Sequence, residues 1–253
     1  MATKDHQSEP IESASETLQR IFDGHGSVLG SQMADESSRY DVLKKTDFPK
    51  PQRTRRIAVA NQKGGVGKTT STVNTAAALA NKGAQVLVID MDPQGNASTA
   101  LGVSHASGEP SVYDVIEGRS DLGDVITVCP DFPTLDVVPA SIDLSGAELE
   151  VADLPNRNTL LKEALDFYLR QSDKHYDYVF IDCPPSLGLL VINAMCAVTE
   201  MLIPIQAEYY ALEGLGQLIN TIGLVQEHFN PVLLVSTMLV TMFDRRTLLS
   251  REV

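Results

Sequence analysis

The sequence of 253 residues has little of several features that mark whole classes of protein. It contains no apolar run of about 18 residues or more, and its first residues, MATKDHQSEP, lack the basic start and apolar centre of a signal peptide. We therefore expect no membrane-spanning helix and a cytoplasmic location. The three cysteines show no CxxC spacing, which argues against a disulfide framework or zinc site and favours small buried residues at Cys129, Cys183 and Cys196.

Basic residues are also scarce, because 20 Lys and Arg face 33 Asp and Glu and leave a net charge of −13. This balance argues against a general attraction to nucleic acid. The exception is segment 44–56, where six basic residues face only Asp47: Lys44, Lys45, Lys50, Arg53, Arg55 and Arg56. We therefore expect any DNA binding to be local and conditional.

The most informative stretch runs from Ile57 to Thr70, IAVANQKGGVGKTT. Its apolar start predicts a buried parallel strand, and the glycines then lead into a helix over Thr69–Asn81. Such a loop turns successive backbone N–H groups into one concavity, where the helix N-terminus adds positive charge, so it is suited to bind phosphate. We predict that Lys68 reaches the β and γ phosphates of a nucleotide and that the Thr69 hydroxyl ligates Mg²⁺. The predicted nucleotide-binding residues of this loop are Gly64, Gly65, Val66, Gly67, Lys68, Thr69 and Thr70.

Two further apolar stretches end in carboxylates. QVLVID, at Gln85–Asp90, precedes Asp92, and YDYVFID, at Tyr176–Asp182, ends in Asp182. Open α/β sheets bind ligands at the carboxyl ends of their strands, so we predict that Asp92 orients the attacking water or a Mg²⁺-bound one. An Asx turn that closes the strand is the alternative, and it explains Asp90 better than Asp92. Asp182 is predicted to hold Mg²⁺ through water.

The rest of the chain alternates between strand and helix patterns. This alternation predicts an α/β fold, with a mainly parallel, doubly wound sheet and helices on both faces. The further predicted helices are Ser111–Gly118, Asn158–Gln171 and Ala211–His228, and the further strands are Leu135–Pro139, Glu200–Gln206 and Val232–Met242.

Residues 1–52 are predicted to be a disordered or weakly structured extension, and residues 53–253 to form the folded domain. Within the extension, Ile11–Phe22 can form a short amphipathic helix. It would serve either as a docking peptide for a polar or scaffold partner or as a plain solvated segment.

Four motifs in order resemble the ParA/MinD group of deviant Walker A P-loop ATPases: KGGVGKTT, VIDMDPQGNAST, DCPPS and TMFDRRTLLSREV. The resemblance covers residue 55 to the end and implies a partition ATPase that hydrolyses ATP with Mg²⁺. Lys63, Lys68 and Asp92 would be the catalytic residues, with Lys63 reaching the partner's nucleotide in an ATP-dependent homodimer. Outside such a family, a lysine beside glycines is usually a solvated loop residue.

The same resemblance implies that the dimer binds nucleoid DNA without sequence preference and that a ParB-like centromere-binding protein stimulates hydrolysis and release. Arg245 and Arg246 are its predicted DNA contacts, with a pair of solvated arginines as the alternative. Family members continue past the motif that ends this sequence, so we expect an incomplete domain with an uncovered sheet edge and apolar face. Cys183, beside Asp182, could be considered as an iron–sulfur ligand. No second suitably placed cysteine supports that interpretation.

Two other functions stay open. A membrane-surface switch of the MinD kind would need a C-terminal amphipathic helix, which this sequence does not display. A transcriptional regulator or scaffold with little ATP turnover would carry a helix-turn-helix before the ATPase core, and residues 1–50 lack two convincing helices for it. We therefore expect no membrane partner.

Overall fold

A computed structural model of the chain describes residues 28–46, 48–207 and 211–243. Two compact units divide between Pro49 and Lys50, close to the boundary predicted after residue 52. The predicted helix over Ile11–Phe22 and the predicted DNA contacts Arg245 and Arg246 lie outside the described residues. Within those residues, no helix is long and apolar enough to cross a membrane.

The first unit contains a helix, α1, over Val28–Lys45. This differs from the predicted disordered or weakly structured extension, because the prediction relied on an apolar stripe and α1 has none. Its side chains from Ser37 onward are exposed, including Tyr40 and Leu43. Lys44 and Lys45 occupy its last turn, where cations complement the helix dipole.

The second unit is built on a seven-stranded sheet in the order β3-β4-β2-β5-β1-β6-β7. All neighbouring strands are parallel except β3, which pairs antiparallel with β4. The fold is therefore the predicted α/β architecture with a mainly parallel sheet. The strands are β1 Arg55–Val59, β2 Val86–Asp90, β3 Thr127–Val128, β4 Leu135–Val138, β5 Tyr178–Asp182, β6 Glu200–Gln206 and β7 Leu234–Thr241.

Helices connect the strands and cover the sheet. They are α2 Lys68–Asn81, α3 Asn96–Ala100, α4 Val112–Ile116, α5 Ala147–Glu150, α6 Leu160–Gln171, α7 Leu189–Ala197 and α8 Ala211–His228, with short 3₁₀ turns at Leu122–Val125 and Ile142–Ser145. The sequence predicts α2, α4, α6 and α8 to within two residues at each end, whereas α3, α5 and α7 are not predicted.

Side chains alternate between the two faces of the sheet and form two cores. One core contains Ala58, Leu87, Ile89, Val138 and Ile181 together with residues of α4, α6, α7 and α8. The other contains Ile57, Val59, Val86, Val88, Val137 and Phe180 together with Ala76 and Ala80 of α2. Helices therefore cover the central strands on both faces, and the sheet is doubly wound. The continuous apolar runs of these strands suit burial on both sides.

Strand β7 differs from the centre of the sheet. It pairs with β6 on one side and is the last strand of the described sheet. Most of its side chains are exposed, among them Leu234 (50%), Met238 (53%) and Val240 (51%). Among the described residues these side chains form an exposed apolar edge, while the incomplete domain stays a prediction.

Candidate nucleotide site

The glycine-rich loop joins the end of β1 to the first turn of α2. Gly65 and Gly67 both adopt left-handed conformations, with φ of 75° and 92°, which favour glycine over other residues. A Cβ atom added to Gly64 or Gly65 would meet nothing within 4 Å, so this stretch of backbone faces open space. The backbone at Gly64 and Gly65 is therefore open to approach by an anion, as the predicted phosphate loop requires.

Asn61 anchors the start of this loop. Its side chain is buried, donates to the carbonyl of Pro204 at 2.7 Å and accepts from the N–H of Lys63 at 3.0 Å. One amide thus ties the loop to the carboxyl end of β6, which holds the following glycines in place.

Lys68 lies beneath the loop at the first position of α2. It is only 7% exposed, and its Nζ donates to the carbonyl of Lys63 at 3.2 Å. Burial lowers the pKa of Lys68, while the charges of Asp182 and Asp92 oppose that shift. A desolvated ammonium group gains more from an anionic partner than an exposed one does, so Lys68 is suited to bind phosphate.

Two threonines of α2 hold the carboxylate at the end of β5. Thr69 Oγ1 donates to Asp182 Oδ2 at 2.7 Å, and Thr72 Oγ1 lies 3.0 Å from Asp182 Oδ1. Burial raises the pKa of Asp182 to about 7, the hydrogen bond from Thr69 opposes this shift, and the charge of Asp90 adds to it. A cation beside this buried carboxylate would favour its ionised form.

The donor set at this point fits magnesium. A threonine hydroxyl and a carboxylate are hard oxygen ligands, and Mg²⁺ is usually held by one or two protein oxygens together with water and phosphate. In the described part of the chain, no group of three or more His, Cys, Asp or Glu residues could hold a metal ion by itself.

Asp90 and Asp92 differ in their surroundings. Asp90 is fully buried and accepts from the N–H and hydroxyl of Ser98 at 2.8 and 2.7 Å and from the N–H of Asp92 at 3.1 Å. Burial raises the pKa of Asp90, and the bonds from Ser98 oppose the shift. Asp92 Oδ1 accepts from the N–H of Gln94 at 3.0 Å, so both carboxylates close Asx turns. Asp90 is therefore structural, while the catalytic role of Asp92 stays a prediction.

The segment after Asp92 packs tightly. Gly95 has a φ of 62°, and a Cβ atom there would lie 2.5 Å from the ring of His105. His105 Nε2 is 2.8 Å from Thr99 Oγ1 in α3. The glycine of the DPQGN sequence is thus required both by its backbone conformation and by this ring.

The basic segment 44–56 carries less available charge than its composition suggests. Lys50 pairs with Asp177 at 3.0 Å, Arg55 with Glu200 at 2.6 Å and Arg56 with Asp166. At least three of its six basic residues therefore have carboxylate partners, which weakens this segment as a DNA surface.

The structure brings together Lys68, Thr69, Asp182 and the backbone carbonyl of Lys63, and the charge of Asp92 acts on both Lys68 and Asp182. The role of the Lys63 side chain in a partner's site stays a prediction. Sequence reasoning missed four supporting residues: Asn61, Thr72, Ser98 and Thr241. Thr72 follows Lys68 by one helical turn and was predictable from that spacing. The others depend on distant partners, as when Thr241 Oγ1 donates to the Val66 carbonyl at 2.9 Å. The three cysteines are free and buried, as predicted.

Residues 54–235 match a family model described as an AAA domain. The chain is 50% identical to the sporulation initiation inhibitor protein Soj of Bacillus subtilis over 197 residues, which are 78% of this chain and 76% of that protein. It is 46% identical to the chromosome partitioning protein ParA of Caulobacter vibrioides, over 78% of this chain and 73% of that one.

Solved structures show the same architecture. Cobyrinic acid a,c-diamide synthase from Mycobacterium smegmatis, with bound ADP and magnesium, superposes with a TM-score of 0.72 at 40% identity, over 79% of each chain. A plasmid partition protein from Borrelia burgdorferi bound to AMPPNP superposes with a TM-score of 0.67 at 25% identity, over 79% of this chain and 81% of that chain.

Proposed function

Because this chain belongs to the ParA and Soj family of chromosome-partitioning ATPases, we propose that it is an ATP-driven switch that binds and releases DNA during partition. One observation carries the proposal: the Thr69 hydroxyl and the Asp182 carboxylate are 2.7 Å apart, beside the buried Lys68 at the start of α2. This arrangement can hold Mg²⁺ and the terminal phosphates of a nucleotide together.

Each residue of the loop would have a separate task. The backbone N–H groups of residues 64–67 would cradle the phosphates, and Lys68 would exchange its bond with the Lys63 carbonyl for phosphate oxygens. Thr69 and Asp182 would hold Mg²⁺, with Asp182 acting through water. When bound, Mg²⁺ neutralises phosphate charge and polarises the bond that breaks.

Hydrolysis would need a water molecule in line with the terminal phosphate. We assign its orientation to Asp92, which is close enough to interact with the charge of Lys68 but keeps its backbone fixed by the Asx turn. Such positioning stabilises the transition state more than the bound ground state. Hydrolysis without a partner is proposed to be slow.

Dimerisation would couple the nucleotide to DNA. In the proposed ATP-dependent homodimer, Lys63 of each protomer reaches the nucleotide of the other, and two copies of one DNA surface then lie on a single rigid body. A surface with few phosphate contacts binds weakly when single and much more strongly when paired. ATP would thereby control binding to nucleoid DNA, and a ParB-like protein would trigger release by stimulating hydrolysis.

The test is the nucleotide dependence of assembly and binding. The protein would be incubated with ATP, ADP or no nucleotide, each with Mg²⁺ or with EDTA. Sedimentation velocity would report the dimer, and co-sedimentation with non-specific DNA or with anionic vesicles would report the ligand. We expect dimers and DNA binding only with ATP and Mg²⁺.

DNA binding of equal strength in every condition would contradict the switch. Vesicle binding in place of DNA binding would assign the protein to the membrane-surface class instead. Footprinting at one sequence would indicate a regulator.

A further inference from the structure

The end of strand β7 touches the phosphate loop at one point. Thr241 Oγ1 donates to the carbonyl of Val66 at 2.9 Å, across 175 residues of sequence. The methyl group of the same threonine lies 3.6 Å from the position that a Cβ of Gly67 would occupy. Thr241 thus bonds the loop backbone through its hydroxyl, and its methyl group lies beside Gly67.

The bond constrains the amide that follows it. A trans peptide is planar, so its carbonyl and its N–H point in opposite directions. The Val66 carbonyl points toward Thr241, so the N–H of Gly67 in the same peptide unit points away from the end of β7. Gly67 has a φ of 92° and no Cβ to restrict that torsion, so an external contact is needed to fix the orientation of this peptide.

The backbone around Thr241 is itself held in place. Its carbonyl accepts from the N–H of Ala207 at 3.3 Å, beyond the end of β6. The next residue, Met242, has a φ of 54° and is the sole non-glycine residue with positive φ in the described ranges. Such a conformation carries a cost and persists where the surrounding structure determines it.

We propose that Thr241 is a positioning residue for ATP binding, which fixes the Val66–Gly67 peptide so that the Gly67 N–H donates to phosphate. The inference rests on the proposed function, since it concerns the same site. It also makes the exposed edge strand a determinant of nucleotide affinity. Because linkage is reciprocal, bound ATP should in turn stabilise the end of β7.

Three variants separate the hydroxyl from general packing. Thr241→Val removes the hydroxyl at nearly constant shape and suits a strand, and Thr241→Ser restores it. Thr237→Val makes the same change four residues earlier, on the same face of β7, at an exposed position about 13 Å away along the strand. Isothermal titration with ATP and Mg²⁺ would give the affinities, and thermal unfolding would confirm that each variant folds.

We expect Thr241→Val to weaken ATP about two- to tenfold, the range for one hydrogen bond, while Thr241→Ser and Thr237→Val stay within about twofold of wild type. Equal affinity of Thr241→Val and wild type would overturn the inference and leave the proposed function intact. If the wild-type protein does not bind ATP, the proposed function is contradicted, and the inference about Thr241 with it.

Hydrogen exchange measures whether ATP binding in the loop is coupled to the end of β7. A purely structural role of Thr241 would not change this ATP-dependent protection. In wild type, ATP should slow exchange both in the loop, residues 64–70, and at residues 239–243. In Thr241→Val the loop should keep its protection at saturating ATP, while the end of β7 loses most of it. Full ATP-dependent protection of residues 239–243 in Thr241→Val would contradict the coupling.

Discussion

Strands β2 and β5 at the centre of the sheet are buried on both faces, whereas β7 at the edge exposes side chains on both. Lys68, Thr69 and Asp182 lie at the buried centre, where desolvation strengthens electrostatic interactions. The edge contributes to the same site through Thr241, and the predicted DNA contacts follow it in sequence. Under the proposed function, the buried centre of the sheet would bind the nucleotide. The side of the sheet at β7 would transmit the state of the nucleotide to the DNA surface.

The sharpest test of the centre replaces Lys68. We predict that Lys68→Ala abolishes measurable ATP binding, because it removes the buried ammonium group that is proposed to bind the phosphates. Lys63→Ala should retain ATP binding by the monomer but lose the ATP-dependent dimer and turnover. Titration calorimetry and sedimentation velocity measure the two effects. Lys82→Ala, at an exposed position beyond the other end of α2, is the control. Equal loss of ATP affinity in both loop variants would remove the role of Lys63 in the partner's site.

Substitutions at the centre and at the edge of the sheet should also differ in their effect on the free energy of unfolding. Phe180→Ala at the buried centre should reduce the free energy of unfolding by about 3–5 kcal/mol, because it leaves a cavity. Met238→Ala on exposed β7 should change it by about 0.5 kcal/mol or less. Urea denaturation monitored by circular dichroism measures both values. A loss above about 2 kcal/mol for Met238→Ala would mean that the edge is covered in solution.

Asp182 tests whether a residue that is proposed to bind Mg²⁺ lowers the stability of the fold when Mg²⁺ is absent. Its pKa of about 7 in the folded protein lies above the ordinary value of 3.8, so ionisation destabilises the fold as the pH rises from about 4 to 7. Without Mg²⁺, Asp182→Asn should therefore raise the free energy of unfolding at pH 8, by at most about 4 kcal/mol, and by less than half as much at pH 5.

The same variant should need more Mg²⁺ to bind ATP, since it loses the carboxylate. The control is Asp136→Asn, another buried carboxylate of this sheet, which bonds Lys174 and Tyr176. That variant should lose stability at both pH values, because it breaks the ion pair with Lys174 and leaves that partly buried partner without its counter-charge. A loss of stability in Asp182→Asn at pH 8 would show that its threonine bonds outweigh the burial of its charge.

The two regions also differ in what the sequence reveals. β1, β2, β5 and β6 are predictable because continuous apolar runs end in turns or carboxylates. Helix α7 is not, because it is apolar all round and shows no helical period. The loop residues Lys68 and Thr69 follow from local spacing. Thr241 does not, since its partner is 175 residues away and only the folded chain brings them together.

Catalysis at the centre can be separated from binding there. We predict that Asp92→Ala binds ATP and dimerises but hydrolyses ATP about 10²-fold or more slowly, because the attacking water loses its orientation. Phosphate release under saturating ATP measures the rate, and sedimentation velocity should show that trapped dimers accumulate. Asp90→Asn is the comparison, because its amide oxygen can keep both bonds from Ser98 while the bond from the N–H of Asp92 is lost. Wild-type turnover in Asp92→Ala would assign the water to another residue.

The smallest expected effect concerns the sequence that follows β7. Each phosphate contact that is removed lowers the slope of log affinity against log salt by about 0.9, so Arg246→Ala should flatten the slope of a dimer by up to about 1.8. ATP binding should be unchanged, because the nucleotide lies at the centre of the sheet. Salt titrations of non-specific DNA binding with ATP measure the slope for wild type and variant.

Arg53→Ala and Arg55→Ala serve as matched controls in the basic segment, because Arg53 is exposed while Arg55 already pairs with Glu200. If DNA binds beyond the edge strand, both controls should keep the wild-type slope. A flatter slope for Arg53→Ala together with an unchanged slope for Arg246→Ala would move the DNA surface to segment 44–56. The edge of the sheet would then communicate with the nucleotide through Thr241 without contacting DNA, and the proposed division between centre and edge would need to be redrawn.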